Sequence, residues 1–464
     1  MVGLRGSVRN QPRSGVAPGL YHYRREQDGR EMRMHLRVEE DGTGLLSVNA
    51  AGVIHLNETA ALLMKLVLDG NDRDEAVAAV SKRYTTRAGE VERDYNRVRK
   101  LIKQMETTED ACPVMRLGLR SSAPPFGHKV CAPYRADLAL TYACNDDCAH
   151  CYVARRPEDV VPLEQAQWNE VLQRLWDVGV PHVCFTGGEA TLCPFLPELV
   201  EKAEDIGLIT GLLTNGRRLS DREYTRRLCA VGLDHVQITV ESHDAAVHDE
   251  MVGCDGAHAE TVQGLKNALA DDIYLVTNTT LCRLNVDTIE QTLAFLKEVG
   301  VEQFAMNSVI ATGKAPASGL GLEETELEAV LGLVSDTAED LGMRFIWYSP
   351  THYCELNPTL LEIGYKRCTA AEYNICIEPD GQVLPCQSYY KPVGHILKDE
   401  WDAIWNSELF VEIRERKNVP EDCRTCPDFD VCGSGCPLSG GEQFLCTDSH
   451  SEGRGAVACM TAAL

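Results

Sequence analysis

Cys144, Cys148 and Cys151 follow one another at C-x3-C-x2-C spacing in LALTYACNDDCAHCY. Three thiolates this close can hold three irons of a cubane iron–sulfur cluster from one loop and leave the fourth iron open for a ligand. Zinc usually takes four protein ligands from paired C-x2-C arms, so three in a row serve it poorly. A second group, Cys423-x2-Cys426-x5-Cys432-x3-Cys436, lies near the C-terminus. Cys368 precedes it, and IEPDGQVLPC, ending at Cys386, reads as a hairpin around an Asp-Gly turn. Taken alone, the second group suits a zinc ribbon and an iron–sulfur site about equally. The chain has 20 cysteines. Disulfides are rare in a reducing cytosol, so thiols in such number point to metal. Cys184, Cys229, Cys254 and Cys282 sit in apolar or helical stretches and read as small core residues.

The first cysteine loop has to be positioned, and the residues around it say by what. Residues 136–315 alternate strand and helix, with strands at Leu138–Tyr142, Val183–Thr186, Gly211–Thr214, Val236–Val240, Ile273–Thr279 and Gln303–Val309. Repeated strand–helix units imply a parallel sheet with right-handed crossovers. Six units are too few for a complete eight-unit barrel, so a partial (β/α)6 barrel and a doubly wound sheet both fit. In either fold ligands bind at the C-terminal ends of the strands, which is where the cysteine loop begins. Residues 316–349 add a helix and the strand-like FIWYS, closing a core domain of 136–349.

Residues 1–31 are polar and aperiodic and read as a flexible arm. Residues 32–107 read as a small α+β unit: strands broken by DG and NAAG, a helix capped by Asn57 and stopped by Gly70, then two more amphipathic helices. Residues 108–135, with four prolines, read as a linker wrapped on the next domain. Residues 350–464 are loop-rich and poor in apolar periodicity, so burial alone cannot hold them and metal ligation is the usual remedy. The net charge of −25 excludes a general nucleic-acid binder, which needs a basic face. There is no apolar run long enough for a membrane span and no secretory h-region, so a cytoplasmic location is expected.

The loop and its context resemble the radical S-adenosylmethionine (SAM) superfamily, whose C-x3-C-x-aromatic-C follows the first strand; His150 holds the ring position here. The second strand ends in FTGGEAT, 36 residues after Cys151, and the resemblance assigns Gly187, Gly188 and Glu189 to the SAM amino group. The glycines would admit a close backbone approach and the carboxylate would pair with the ammonium. LLTNG at the third strand (Thr214, Asn215), Ser242 after the fourth, at the ribose position, Asn278, Thr280 and Asn285 around the fifth, and Val309 and Ile310 after the sixth, at the adenine position, match more softly. The resemblance implies a [4Fe-4S] cluster on Cys144, Cys148 and Cys151, SAM chelating its open iron, one-electron cleavage of SAM, and hydrogen abstraction from a substrate by the 5′-deoxyadenosyl radical. A reducing electron donor such as flavodoxin or ferredoxin is implied with it.

The C-terminal cysteines resemble the SPASM extension, which binds two auxiliary four-iron clusters. By that resemblance one cluster uses Cys368, Cys386 and Cys436, with Cys354, Cys376 or substrate as the fourth ligand. The other uses Cys423, Cys426, Cys432 and either Cys446 or Cys459. In sulfatase-maturing relatives a basic Asp follows the hairpin cysteine; Gln387 stands there instead and speaks against that reaction. Residues 32–107 resemble PqqD-like domains, winged-helix-like units that bind the leader of a ribosomally made precursor peptide by adding it as a strand. The strand near Val53–Leu56 and the last helix, with Arg97 and Lys100, would form that groove. Together these imply a peptide-modifying enzyme. The alternatives are a radical SAM enzyme acting on a small molecule such as a tetrapyrrole side chain, and a non-catalytic iron–sulfur electron carrier.

Overall fold

The computed structural model describes residues 15–27, 30–49, 52–107, 130–155, 157–271 and 273–439. Four antiparallel strands, β1 (Gly19–Gln27), β2 (Arg30–Val38), β3 (Gly44–Val48) and β4 (Gly52–Leu56), form one sheet in sequential order. Alternation decides its faces. Met32, Met34, Leu36 and Val38 bury against three helices, α1 (Glu58–Leu68), α2 (Arg73–Ser81) and α3 (Ala88–Thr107). The Asn57 side chain caps α1 by accepting from the Ala60 backbone N–H at 2.9 Å, as its residue type predicts. Residues 19–27 correct the expectation of a flexible arm: they pair with β2 along the full register Gly19↔Val38 to Gln27↔Arg30, while residues 1–14 lie outside the described residues. The aperiodic, Arg-rich composition hid a strand whose anchor is long-range: Tyr21 and Tyr23 pack on the domain core, and the Tyr23 hydroxyl donates to Asp69 Oδ1 at 2.8 Å.

The larger sheet has ten strands. β5 (Arg135–Thr141), β6 (His182–Gly187), β7 (Ile209–Thr214), β8 (His235–Thr239), β9 (Tyr274–Leu281), β10 (Gln303–Ser308) and β11 (Arg344–Trp347) lie side by side in chain order, all parallel. The order never reverses, so the sheet is wound one way, as in a barrel, and has no doubly wound switch point. FIWYS supplies the seventh strand, β11. Beyond β5 the C-terminal region extends the same sheet: β12 (Asn374–Ile377) pairs parallel to β5, and β13 (Gln382–Leu384) and β14 (Gly394–His395) follow antiparallel. The β12–β13 hairpin is the one expected from the Asp-Gly pair, and Gly381 adopts φ +85°, a conformation that favours glycine. Helices pack on the outer face around Trp168, Phe185, Leu212 and Phe304.

The outer face of β2 sits on the base of this sheet. Arg33 donates to both oxygens of Asp234 at 2.8 Å and to the Leu208 carbonyl at 2.7 Å, and pairs with Glu204 at 2.8 Å. His35 Nε2–H donates to the Gly207 carbonyl at 2.7 Å, and Arg37 to those of Pro133 and Gly179. Trp401 and Trp405 hold the linker's end through the Cys131 and Val130 carbonyls. The rest of the linker, residues 108–129, lies outside the described residues.

Candidate active site

β5 ends at Thr141, and the cysteine loop leaves the C-terminal end of the sheet. Its own backbone is spliced into the neighbouring loops: Asp147 N–H donates to the Val252 carbonyl at 2.9 Å and Ala149 N–H to that of Met251 at 3.0 Å. Arg217 NH1 reaches Asp146 Oδ1 and the Asn145 carbonyl, both at 2.6 Å, and Asn215 Nδ2 donates to Asp146 Oδ2 at 2.9 Å. The Lys314 ammonium also pairs with Asp147. His150 Nε2 lies 2.9 Å from Oε1 of Glu241, a carboxylate buried at the end of β8 whose other oxygen accepts from the Thr280 backbone N–H at 2.8 Å. Burial pulls the His150 pKa down, but the charge of Glu241 and the hydrogen bond to it outweigh that and raise it. His150 therefore ties the loop to β8 rather than standing free as a ring for SAM.

Burial pushes the Cys144 thiol up to about 12 and raises Cys148 and Cys151 too; Cys151 adds to the shift of Cys144, and both of them to that of Cys148. Three grouped thiols that would stay protonated alone are a donor set awaiting a cation, because coordination strips the proton. They fit a four-iron cluster with one open iron.

Gly187 and Gly188 are placed where expected, and the structure states what their missing side chains are for. A Cβ on Gly187, which has φ +137°, would lie 2.1 Å from the Thr141 carbonyl oxygen. One on Gly188 would lie 2.5 Å from that of Ala143. The turn packs directly on the start of the cysteine loop, with Gly188 N–H donating to Thr141 at 2.7 Å and Glu189 N–H to Ala143 at 2.9 Å. The Glu189 carboxylate is also tied into the sheet. It is 1% exposed and already accepts four hydrogen bonds: from Thr191 N–H at 3.0 Å, Thr191 Oγ1 at 2.7 Å, Thr214 Oγ1 at 2.7 Å and Asn215 N–H at 2.8 Å. It joins the ends of β6 and β7, with three of these bonds on Oε1 and one, from Asn215, on Oε2.

Ser242 is wholly buried, and its Oγ accepts from the Asp244 N–H at 3.1 Å. Asn285, also wholly buried, donates to the carbonyls of Glu241 and Thr280. Asn278 does have spare capacity: its Nδ2 donates to Asn307 at 2.8 Å, while its Oδ1 is buried without a hydrogen-bond partner. That acceptor suits a ligand hydroxyl such as a ribose. Val309 and Ile310 follow β10 and are partly exposed.

Cys368, Cys386 and Cys436 lie together: burial raises the Cys386 thiol, with Cys368 and Cys436 adding to the shift, and burial with Cys368 nearby raises Cys436 to about 11. Cys376 is buried in a small apolar group with Tyr142 and Leu384. Cys354 corrects the expected grouping: it lines a cavity with Cys423, Cys426 and Cys432 rather than joining the Cys368 set. The cause is a tertiary pairing invisible to spacing, since the chain after β11 runs beside the last cysteine arm, where Tyr353 N–H meets Cys432 Sγ at 3.4 Å. Cys446 and Cys459 lie outside the described residues. Gln387 Oε1 is buried without a hydrogen-bond partner, and the buried Tyr390 hydroxyl lies against the Ala154 backbone. Tyr390 has Cys151, Tyr152 and Cys376 among its electrostatic neighbours. The sequence reading passed over Tyr390; its proximity to Cys386, four residues away behind the hairpin, was the available signal. Arg97 and Lys100 are exposed on α3, and Arg97 lies 3.2 Å from Asp94.

Comparison with known proteins agrees with this geometry. Family models match for the Radical SAM superfamily at residues 138–296, the SPASM iron–sulfur cluster-binding domain at 368–427, and coenzyme PQQ synthesis protein D (PqqD) at 43–108. The chain is 28% identical over 333 residues to a PqqA peptide cyclase of Bradyrhizobium diazoefficiens, covering 68% of this chain and 83% of that protein. A PqqA peptide cyclase of Xanthomonas euvesicatoria is likewise 28% identical, over 68% of this chain and 84% of its own. Among solved structures, Streptococcus suis SuiB bound to its precursor peptide SuiA superposes with a TM-score of 0.67 at 16% identity, covering 90% of this chain and 96% of that one. The anSMEcpe structure with bound AdoMet and the Kp18Cys peptide has a TM-score of 0.53 at 17% identity, over 66% and 89%. The chain carries a Radical SAM domain, with a PqqD domain before it and a SPASM domain behind it.

Proposed function

We propose that this enzyme modifies a ribosomally made precursor peptide by radical SAM chemistry, its PqqD domain holding the leader while the core acts on the rest. One observation carries the reading: a four-stranded domain of PqqD type is fastened by buried polar contacts to a barrel whose opposite rim bears an open three-thiol loop. Its β4 is an edge strand of that sheet, the kind of edge to which an extended peptide adds. The resemblance to two peptide cyclases favours a crosslink that closes a ring in the peptide.

Cys144, Cys148 and Cys151 would hold the SAM cluster, which when bound supplies the electron that cleaves SAM. Around it the chain's own groups do the positioning. Asp146, Arg217, Asn215 and the His150–Glu241 pair fix the loop, and the Gly187–Gly188 turn brings backbone close beneath it. Asn278 Oδ1 offers a buried acceptor to the nucleoside. Cys368, Cys386 and Cys436 would hold one auxiliary cluster, and Cys354, Cys423, Cys426 and Cys432 the other. Gln387 and Tyr390 lie where a peptide side chain between the first loop and the Cys386 set would meet them. A small reducing protein of flavodoxin or ferredoxin type would deliver electrons, in a cytoplasmic setting. Among the described residues no helix is long and apolar enough to cross a membrane.

The test is anaerobic. Protein reconstituted with iron and sulfide is given SAM, dithionite and a synthetic precursor peptide, and 5′-deoxyadenosine and peptide mass are followed. Formation that depends on Cys144, lost in Cys144→Ala, together with a two-hydrogen mass loss in the peptide, is the expected result. Absence of 5′-deoxyadenosine from a fully iron-loaded protein would leave an electron carrier as the better description.

A further inference from the structure

A second constellation of metal-binding side chains lies at the other end of the barrel strands, away from every cysteine assigned above. In the sheet register Cys184 of β6 pairs with Gly211 of β7, and Gly211 with His235 of β8, so the three form one row across the first turn of the barrel. His182 stands two residues before Cys184 and so shares its face. Val183 and Phe185, on the opposite face, belong to the core under the outer helices. The functional atoms meet: His182 Nε2 lies 2.8 Å from His235 Nε2, and Cys184 Sγ 3.3 Å from His182 Nε2. His182 and Cys184 are 9% and 1% exposed.

Gly211 makes the meeting possible. A Cβ at that position would lie 2.3 Å from His235 Cε1, 2.5 Å from its Nε2 and 2.8 Å from Cys184 Sγ. The slot between thiol and imidazole exists only because the middle residue of the row has no side chain.

We propose that His182, Cys184 and His235 form a binding site for a zinc-type divalent cation, distinct from the iron–sulfur sites. Two imidazoles and a thiolate are a donor set of the softness that zinc selects. Zinc–ligand bonds of about 2.0–2.1 Å to nitrogen and 2.3 Å to sulfur put tetrahedral ligands roughly 3.3 Å apart for N–N and 3.6 Å for N–S. The observed separations fall short of those by about half an ångström or less, within side-chain adjustment. The protonation states are ready: burial holds His182 well below its ordinary range, and burial with Arg135 nearby holds His235 down to about 4, so both rings are neutral. One ring now donates its Nε2–H to the other. On binding, that ring moves its proton to Nδ1, Cys184 gives up its thiol proton, and one proton leaves per cation. Three protein ligands leave one vertex for a small exogenous ligand. Along β6 the two ligands Cys184 and His182 stand about 10 and 17 Å from the Gly187 end at the strand rise of about 3.3 Å per residue. It adjoins β7 and β8 where the N-terminal domain docks, and His35 is among the electrostatic neighbours of His182.

The experiment uses the full chain with its clusters loaded, so that the other cysteines are occupied. The protein is equilibrated with Zn2+, freed of excess, and analysed for zinc and iron by mass spectrometry and for zinc ligands by X-ray absorption. The expected result is about one zinc per chain with two nitrogen neighbours and one sulfur. It should be lost in His235→Ala and in Gly211→Ala, which fills the slot, with iron unchanged. His235→Gln keeps a hydrogen-bonding group toward His182 and protects the fold, and it should lose zinc too. No zinc in the cluster-loaded protein, zinc retained by His235→Gln, or a shell of sulfur alone would overturn the assignment.

Discussion

Gly188→Ala tests whether the glycines of the GGE turn serve chain-to-chain packing. The new methyl group would start 2.5 Å from the Ala143 carbonyl oxygen and 2.7 Å from that of Tyr142, both backbone. That is about 0.9 Å short of ordinary contact, and no flexible side chain can yield. Opening the gap stretches the Gly188–Thr141 and Glu189–Ala143 hydrogen bonds, now 2.7 and 2.9 Å, past the range in which they count as bonds. Two lost backbone bonds at about 1 kcal/mol each, with donors left buried, cost about 2–4 kcal/mol. At 1.4 kcal/mol per factor of ten, the ordered loop becomes roughly 30- to 700-fold less populated. The assay is anaerobic chelator challenge of reconstituted protein, following iron release and 5′-deoxyadenosine formation. The variant should surrender about four irons per chain at least 30-fold faster than wild type, with SAM cleavage falling in step. Wild-type iron retention with only SAM affinity reduced would refute the reasoning and return the glycines to ligand contact alone.

Three further outcomes follow from the structure. Arg33→Ala removes the ion pairs to Asp234 and Glu204, which keep Thr210 and Arg24; the lost charge-assisted bonds cost about 1.5–3 kcal/mol, so the N-terminal domain should become protease-sensitive and peptide turnover fall while peptide-independent SAM cleavage persists. Burial holds His35 down to about 3 from an ordinary 6.5. A histidine buried neutral gives stability that is present above 6.5 and lost as pH falls below it, by about 1.4 kcal/mol for the first unit; acidification toward 5.5 should loosen domain docking, and His35→Gln should flatten that dependence in a proteolysis-versus-pH series. Cys354→Ser should lower bound iron from roughly twelve toward eight per chain, removing the cluster of the Cys423 set; unchanged iron would place a residue beyond Cys436, such as Cys446 or Cys459, in that role.

The sequence alone carried the chemistry that is local. C-x3-C-x2-C, the GGE turn and the Asp-Gly hairpin are short-range patterns, and strand–helix alternation set the parallel sheet because each unit buries its own apolar face. Asn57 capped its helix for the same reason, since cap and acceptor are neighbours in the chain. What required three dimensions was partnership across the chain. Residues 19–27 form a strand only because β2 is there to pair with them. The hydrogen bonds that Thr214 and Asn215, some 25 residues on, give to the Glu189 carboxylate join two strand ends that spacing alone does not connect. Cys354 joined a set of cysteines 69 residues or more away because the segment after β11 turns back beside them. Gly211, unremarked in the linear reading, matters because two other strands bring a thiol and an imidazole to either side of it. Spacing along a chain encodes what one loop or one strand end can hold; which atoms are already spent, and which meet, is decided by register and packing.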